Sequence, residues 1–187
     1  MNKLAQFTAI AALGIGGHAM AAGFDYHYFD GGLVLADGPG NDGKGVSVTG
    51  SMDEPQLFRN ATVFGGARYL DFDYGNLLNL EAGIGFHAPI SGIVDFTSGG
   101  ALELDRFTHL GSDLGFNLNA GVRARPFGPQ WELDGGLKYA DVGHYYDGDH
   151  VHAVLGGRYT FSPNVSVGLQ LDSGDVDYWT LSLRWEL

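Results

Sequence analysis

The sequence contains no cysteine and few positively charged residues. Without cysteine, the chain can form neither a disulfide nor a thiolate metal site. Lysine and arginine together number 10 against 22 aspartates and glutamates, which gives a formal net charge of −12. Such acidity disfavours nucleic acid and anionic membrane surfaces as partners. We therefore expect no nucleic-acid partner, and the composition indicates no cofactor.

The chain also lacks a long apolar run, because no segment beyond the N-terminus approaches the roughly 18 apolar residues of a transmembrane helix. The N-terminus itself carries Lys3, an apolar stretch from Phe7 to Gly17, and the small-residue site Ala19-Met20-Ala21. This order predicts a secretory signal peptide over residues 1–21, followed by a single domain over residues 22–187. The alternative is an N-terminal membrane anchor, for which the apolar stretch is too short.

Glycine, by contrast, is abundant at 31 residues, and aromatic residues make up 13% of the chain. This composition is typical of a β protein with tight turns. We identify ten segments with strand character, many of which alternate between apolar and polar residues, and their lengths suit tilted transmembrane strands. The segments run Phe24–Ala36, Gly45–Met52, Phe58–Phe72, Leu77–Ala88, Gly92–Asp105, Asp113–Arg125, Trp131–Val142, Val151–Phe161, Val165–Asp172 and Asp177–Leu187.

The last segment alternates most clearly, since Trp179, Leu181, Leu183, Trp185 and Leu187 are separated by single polar residues. Successive side chains of a strand point to opposite faces, so one face of this segment is apolar and the other polar. We expect it to close a barrel by pairing with the first segment. In that first segment the faces are ambiguous: Tyr26 and Tyr28 compete with His27, Phe29, Leu33 and Leu35 for the apolar side.

The connections between the segments fall into two alternating kinds. One kind is short and often contains proline, as in residues 53–56, 89–91, 127–130 and 162–164, whereas the other is more acidic and rich in glycine. Aromatic residues gather near both kinds of connection, as in the two interfacial belts of a membrane barrel. The fold class predicted is all-β, an antiparallel up-and-down transmembrane β-barrel of about ten strands, with eight as the alternative. Its location is the cell outer membrane, with both termini on the periplasmic side.

Two motifs carry a family resemblance. The run Tyr26-His27-Tyr28-Phe29-Asp30-Gly31-Gly32 and the run from Gly43 to Ser51 (GKGVSVTGS) resemble the start of a small outer-membrane protein family of xanthomonad-type bacteria. This is the family of the proposed activator of plant innate immunity. The resemblance implies a barrel of OmpX- and OmpA-like architecture with no enzymatic residues to carry over. One departure is the C-terminal Leu187, where such chains usually end in Trp or Phe.

The polar faces of the segments hold charges of both signs. We expect them to face the lumen and to form either a structural network of ion pairs or, as the alternative, the lining of a small polar channel. These residues are Arg68, Glu81, His87, Asp95, Glu103, Arg123, Arg125, Glu132, Asp134, Lys138, Arg158, Arg184 and Glu186.

Three groups of residues could carry chemistry, and for each the sequence favours a structural interpretation. His144, His150 and His152 lie near two aspartates, but a metal site needs several ligands in fixed geometry. The stretch from Asp37 to Gly43 resembles a calcium loop without its full set of ligands. His109, Ser112 and Asp113, or His144 and Asp147, are the only candidates for catalysis at the rim. We expect no catalytic, cofactor-binding or metal-binding residues.

The resulting prediction is a small outer-membrane protein with a structural or surface-interaction role in the cell envelope, and not an enzyme. A narrow pore for small solutes is one alternative, and an outer-membrane lipid-modifying enzyme or protease is another. The partners expected are outer-membrane lipid and the barrel assembly machinery, with the protein itself a monomer.

Overall fold

A computed structural model describes residues 24–38, 42–108, 111–142 and 151–187. The predicted signal peptide, residues 1–21, lies outside the described residues. The described part of the chain contains ten strands. They are β1 (Tyr28–Asp37), β2 (Gly43–Asp53), β3 (Ala61–Phe72), β4 (Gly75–Ser91), β5 (Val94–Phe107), β6 (Gly111–Ala124), β7 (Trp131–Asp141), β8 (Val151–Ser162), β9 (Val165–Ser173) and β10 (Asp177–Glu186). No helix in this part is long and apolar enough to cross a membrane.

The strands form a closed barrel in which each strand pairs with its neighbours in sequence. Every pair is antiparallel, and β1 closes the barrel against β10, with Leu33 opposite Leu181. The prediction of an up-and-down barrel of ten strands is therefore confirmed, and the eight-strand alternative is wrong. Residues 24–27, the C-terminal Leu187 and the turns that contain Pro55, Pro129 and Pro163 lie at one end of the barrel, here named the terminal end. The acidic connections that are fully described, between β3 and β4 and between β9 and β10, lie at the opposite end, the distal end.

Between its charged ends, the outward face of the barrel is largely apolar. In β1, Phe29, Leu33 and Leu35 are exposed on the outside, whereas Val34 and Ala36 are buried inside. This arrangement resolves the ambiguity of the first segment, because Tyr26 and Tyr28 belong to the inward set. Outward aliphatic residues between aromatic ones are typical of a strand that crosses a membrane.

Three predicted segments begin later in the structure than in the sequence pattern, and one of them, β5, differs only by its start at Val94 rather than Gly92. β3 begins at Ala61 rather than Phe58, because residues 54–60 form a turn in which the Glu54 amide donates to the Ala61 carbonyl. Asn60 adopts a positive φ of 61° in that turn, a conformation that asparagine tolerates better than most residues. β1 begins at Tyr28 rather than Phe24, and the four residues before it leave the sheet.

A glycine pair in the first two strands gives a test of how tightly the barrel wall is packed. A Cβ added at Gly45 would overlap the carbonyl oxygen of Tyr69 and lie 2.9 Å from the Cα of Leu70, whereas one at Gly31 would meet nothing within 4 Å. Because the atoms at Gly45 belong to the β3 backbone, we expect Gly45→Ala to cost about 1–3 kcal/mol of unfolding free energy. Gly31→Ala is the matched control and should leave stability unchanged or slightly raised. Equal effects in urea titrations would contradict this packing.

Candidate functional site

The candidate site is the barrel lumen, into which the charged residues predicted from the polar faces converge. Among them, Asp95, Glu103, Arg123 and Glu132 are buried. Arg125 follows the end of β6 and still reaches Glu132, with Nη2 lying 3.5 Å from the carboxylate Oε2. The interior divides into a layer at the terminal end, a layer at the distal end and cavities beside the distal layer.

Glu132 is the shared acceptor of the layer at the terminal end. Arg123 donates to Glu132 Oε1 through Nε at 3.0 Å and through Nη2 at 2.7 Å. Arg184 Nη1 lies 3.7 Å from the same oxygen, and Arg125 reaches the other one. One buried carboxylate thus faces three guanidinium groups from β6, β10 and the turn after β6.

A second ion pair spans the lumen between strands that are not neighbours. Arg158 on β8 donates from Nη2 to Asp30 Oδ2 on β1 at 2.7 Å, and Arg184 Nε donates to the same oxygen at 3.2 Å. Gly168 makes this reach possible, since a Cβ there would lie 2.9 Å from the Arg158 guanidinium. Arg184 also lies over the ring of Tyr28, 3.7 Å from its centroid.

Residues 24–27, here named the N-terminal plug, cross the lumen at the terminal end. The phenol of Tyr26 donates to Asp95 Oδ2 on β5 at 3.0 Å, and its ring stacks on His87 of β4 with 4.0 Å between ring centroids. The Arg123 guanidinium lies 4.5 Å from the Tyr26 ring and 5.0 Å from the Phe24 ring. Since β1 pairs with β2 and β10, these contacts lie on the far side of the barrel.

Further contacts fix the N-terminal plug in this position. Arg123 Nη1 donates to the backbone carbonyl of Asp25 at 3.3 Å, and Arg125 lies 4.5 Å from the Phe24 ring. Burial raises the pKa of the Tyr26 phenol well above its usual range, although the nearby Arg123 opposes this. Tyr26 therefore keeps its proton at physiological pH and remains a hydrogen-bond donor. The sequence pattern assigned residues 24–27 to a strand and so missed the plug.

The layer at the distal end consists of carboxylates held together by side-chain amides. Asn79 Nδ2 donates to Glu103 Oε1 and to Asp105 Oδ1, both at 2.6 Å. Asn117 Nδ2 donates to Glu103 Oε2 at 2.9 Å. Lys138 supplies a cation to this group, with Nζ 3.8 Å from Glu103 Oε2.

The predicted metal and catalytic candidates that are described lie at this same end. His152 points inward and its Nδ1 lies 3.0 Å from Asp172 Oδ1, while His144 and His150 lie outside the described residues. Within the described ranges no three histidine, aspartate or glutamate side chains could together hold a metal ion. Ser112 is exposed and Asp113 is half-buried.

The remaining candidates are not among the described residues. His109 and Asp147, the proposed partners for catalysis, lie outside the described residues, as do residues 39–41 of the loop that resembles a calcium site. The predictions for these residues therefore stay predictions. The ends of that loop belong to strands, since Asp37 ends β1 and Gly43 begins β2.

An apolar cluster occupies part of the lumen at the distal end, which the sequence pattern did not predict. Val34, Leu70 and Leu77 are its most buried large side chains, with Leu70 fully buried. The complete cluster is Val34, Ala36, Leu70, Leu77 and Val176, packed against Phe72, Phe107 and Tyr178. The sequence does contain a sign of this cluster: Val34 and Leu70 are apolar residues at inward positions, where the alternation predicts polar ones. The cluster narrows the distal mouth on the side of β1, β3 and β4.

Two cavities remain beside these layers. One of about 100 Å³ lies at the distal end, lined among others by Asp105, His152 and Tyr178. The other, of about 260 Å³, lies deeper in the lumen and extends to Asp134. Arg68, Lys138 and Asp172 line both cavities, so the two adjoin each other.

Comparisons with known proteins identify the fold but not a family or a specific role. No family model matches the sequence, and no curated protein matches it. Among solved structures, the KdgM porin aligns with a TM-score of 0.51 at 11% identity, covering 86% of this chain and 99% of the porin. Neisserial surface protein A aligns with a TM-score of 0.46 at 15% identity, covering 87% of this chain and 96% of its own. The chain has the closed antiparallel barrel fold of outer-membrane proteins.

Proposed function

We propose that this protein is an outer-membrane barrel whose lumen is sealed at the terminal end and whose role in the cell envelope is structural or surface-interacting. The N-terminal plug carries the proposal. Phe24 and Tyr26 lie across the mouth, and Arg123, Asp95 and His87 bind them from strands opposite β1. A lumen blocked by residues 24–27 suits a protein that presents a surface better than one that transports solutes.

The orientation in the membrane follows from the two kinds of connection. Outer-membrane barrels place short turns in the periplasm and longer loops outside. The terminal end, with its proline turns, would then face the periplasm, and the acidic distal end would face the exterior. Lipid contacts the outward aliphatic residues, and the aromatic residues Trp179 and Trp185 lie toward opposite interfaces.

Planar-bilayer conductance tests the seal directly. The wild-type barrel is expected to give no discrete conductance steps, whereas the double variant Phe24→Ala/Tyr26→Ala should give them, because it removes both rings from the mouth. His27→Ala is the matched control, since His27 belongs to the same segment but is exposed. Boiled and unboiled samples should migrate differently on a detergent gel for all three proteins, which checks that each barrel has assembled.

Each alternative outcome of this experiment has a definite meaning. Steps from the wild-type barrel would reject the seal and favour a narrow pore. A silent double variant would also contradict the N-terminal plug as the barrier. Recovery of the protein in the soluble periplasmic fraction would show that the assignment to the membrane is wrong.

The second candidate function is a narrow pore for small solutes. The adjoining cavities favour it, because they leave polar space from the distal mouth down to Asp134. The layer of arginines at the terminal end would then be the constriction. This function would require the N-terminal plug to move out of the lumen.

Other parts of the proposal rest on the sequence. Absence of enzymatic activity, a monomeric state, recognition by the barrel assembly machinery and kinship with the xanthomonad-type family remain predictions. The His152–Asp172 pair is the place to probe for enzymatic activity, since it faces a cavity at the distal mouth. His152→Ala should leave barrel assembly intact, and loss of a lipid- or peptide-modifying activity in that variant would overturn the non-enzymatic assignment.

A further inference from the structure

The deeper cavity of the lumen has a lining suited to a ligand. Its volume is about 260 Å³, enough for a small molecule and far more than a single water needs. The uncharged groups in its wall are the amides of Asn117, Asn119 and Gln170, the hydroxyl of Thr97 and the ring of Phe64. We name this cavity the mid-lumen chamber.

Among the described residues, the chamber opens toward the distal end. The side chain of Gln170 points into the barrel and is exposed to solvent, so the solvent that it contacts lies in the lumen. The smaller cavity at the distal mouth shares Arg68, Lys138 and Asp172 with the chamber and provides the path inward. Toward the terminal end the wall reaches Asp134, the next inward position after Glu132 of the arginine layer.

The hydrogen-bonding groups of the chamber select for hydroxyls. A side-chain amide both donates and accepts, and so does a hydroxyl, whereas an ammonium group only donates and a carboxylate only accepts. Asn117 is buried and its amide already donates to Glu103, so the amides that a ligand can reach are those of Asn119 and Gln170. Phe64 adds an apolar surface against which carbon atoms of a ligand can pack.

The charges in the wall disfavour ionic ligands. Three carboxylates, Glu81, Asp134 and Asp172, share the wall with two cations, Arg68 and Lys138. The wall is thus nearly balanced and slightly negative, so a buried anion would meet more carboxylates than cations. A dication would find two positive groups already in place. A neutral ligand avoids both costs of burying charge.

From this geometry we infer that the mid-lumen chamber is a binding site for a small neutral polyhydroxylated molecule of monosaccharide size, admitted from the distal mouth. This inference goes beyond the proposed function and does not depend on the N-terminal plug. Conductance tests the plug, and ligand binding tests the chamber, so either can fail alone.

Titration calorimetry on the folded barrel in detergent provides the test, with three probes of similar size class. D-glucose is expected to bind saturably, D-glucuronate to bind more weakly because it carries a carboxylate, and putrescine to bind more weakly because it is a dication. Asn119→Leu and Gln170→Leu should each weaken glucose binding by roughly two- to tenfold, the effect of losing one hydrogen bond. Thr49→Val is the control, because Thr49 is on an inward position outside the chamber wall.

A detergent gel first verifies that each variant is folded, and each binding result then either supports or overturns the inference. Saturable glucose binding that the two chamber variants weaken and Thr49→Val does not would support the inference. Binding of glucuronate or putrescine as tightly as glucose would overturn it, as would absence of saturable binding by any probe. Glucose binding unaffected by both chamber variants would place the ligand elsewhere and overturn the inference too.

Discussion

Glu132→Gln is expected to lower the free energy of unfolding by about 3–5 kcal/mol, the cost of breaking a buried ion pair by removing one partner. Glu132 is 6% exposed, and it forms ion pairs with Arg123, Arg125 and Arg184. The glutamine keeps the shape but not the charge. Arg123, which is 9% exposed, would then lose its ion-pair partner while remaining inside the barrel.

The same substitution at Glu81 is a matched control with the opposite expectation. Glu81 lies directly opposite Glu103 on the neighbouring strand, and like charges in that position destabilise a sheet. Its contact with Asn117 is long, at 3.5 Å. Glu81→Gln should therefore leave stability unchanged or raise it slightly.

Unfolding of both variants in urea, after refolding into lipid vesicles, measures the difference. A double-mutant cycle with Arg123→Gln adds the coupling energy between Arg123 and Glu132, which should be the largest of any pair in the layer. Equal effects of Glu132→Gln and Glu81→Gln would contradict the view that this layer depends on one shared acceptor.

Much of the barrel could be predicted from the sequence because its fold depends on a local pattern. Alternation along β10 places Leu181 and Leu183 outside and Arg184 inside, and the structure agrees. Each antiparallel strand pairs with its sequence neighbour, so counting the segments was enough to obtain the topology. The closing pair of β1 and β10 followed once the number of strands was even.

The contents of the lumen were harder to predict, because alternation gives the face of a side chain but not its reach. Arg158 meets Asp30 across 128 positions of sequence, and nothing local identifies that partner. Phe24 and Tyr26 continue the apparent strand pattern, but contacts with Arg123 outside the sheet determine where they lie. The apolar cluster around Leu70 was missed for a similar reason, since inward positions were assumed to be polar.

Leu183→Arg is the second substitution with a large expected effect, because it would place a charge in the lipid. Leu183 is outward, 58% exposed, and lies between Trp179 and Trp185 on the same face of β10. An arginine at the bilayer midplane of a barrel costs about 2–4 kcal/mol, and the cost falls toward the interfaces. Because Leu183 is closer along the strand to Trp185 than to Trp179, we expect a loss near the lower end of that range, about 2 kcal/mol.

The control for Leu183→Arg has to be chosen from the structure rather than from the alternation alone. Its neighbour Ser182 points inward and is buried, with only 8% of its surface exposed. Arg158 Nη2 donates a hydrogen bond to its hydroxyl at 3.3 Å. An arginine at 182 would add a cation beside Arg158 and Arg184, so Ser182→Arg should also be destabilising. Gln170→Arg is the better control, because Gln170 is inward, exposed to the lumen and beside the carboxylate of Asp172 in the chamber wall.

Urea unfolding in vesicles of two bilayer thicknesses distinguishes destabilisation caused by placing the charge in hydrocarbon from destabilisation caused by disturbed packing. The loss in Leu183→Arg should shrink in the thinner bilayer, where position 183 lies nearer the interface and the charge reaches water more easily. Gln170→Arg should stay within about 0.5 kcal/mol of the wild type in both, because the added cation extends into the open lumen on the side of the Asp172 carboxylate. If Gln170→Arg proves as costly as Leu183→Arg, the assignment of the outward face of β10 to lipid is wrong.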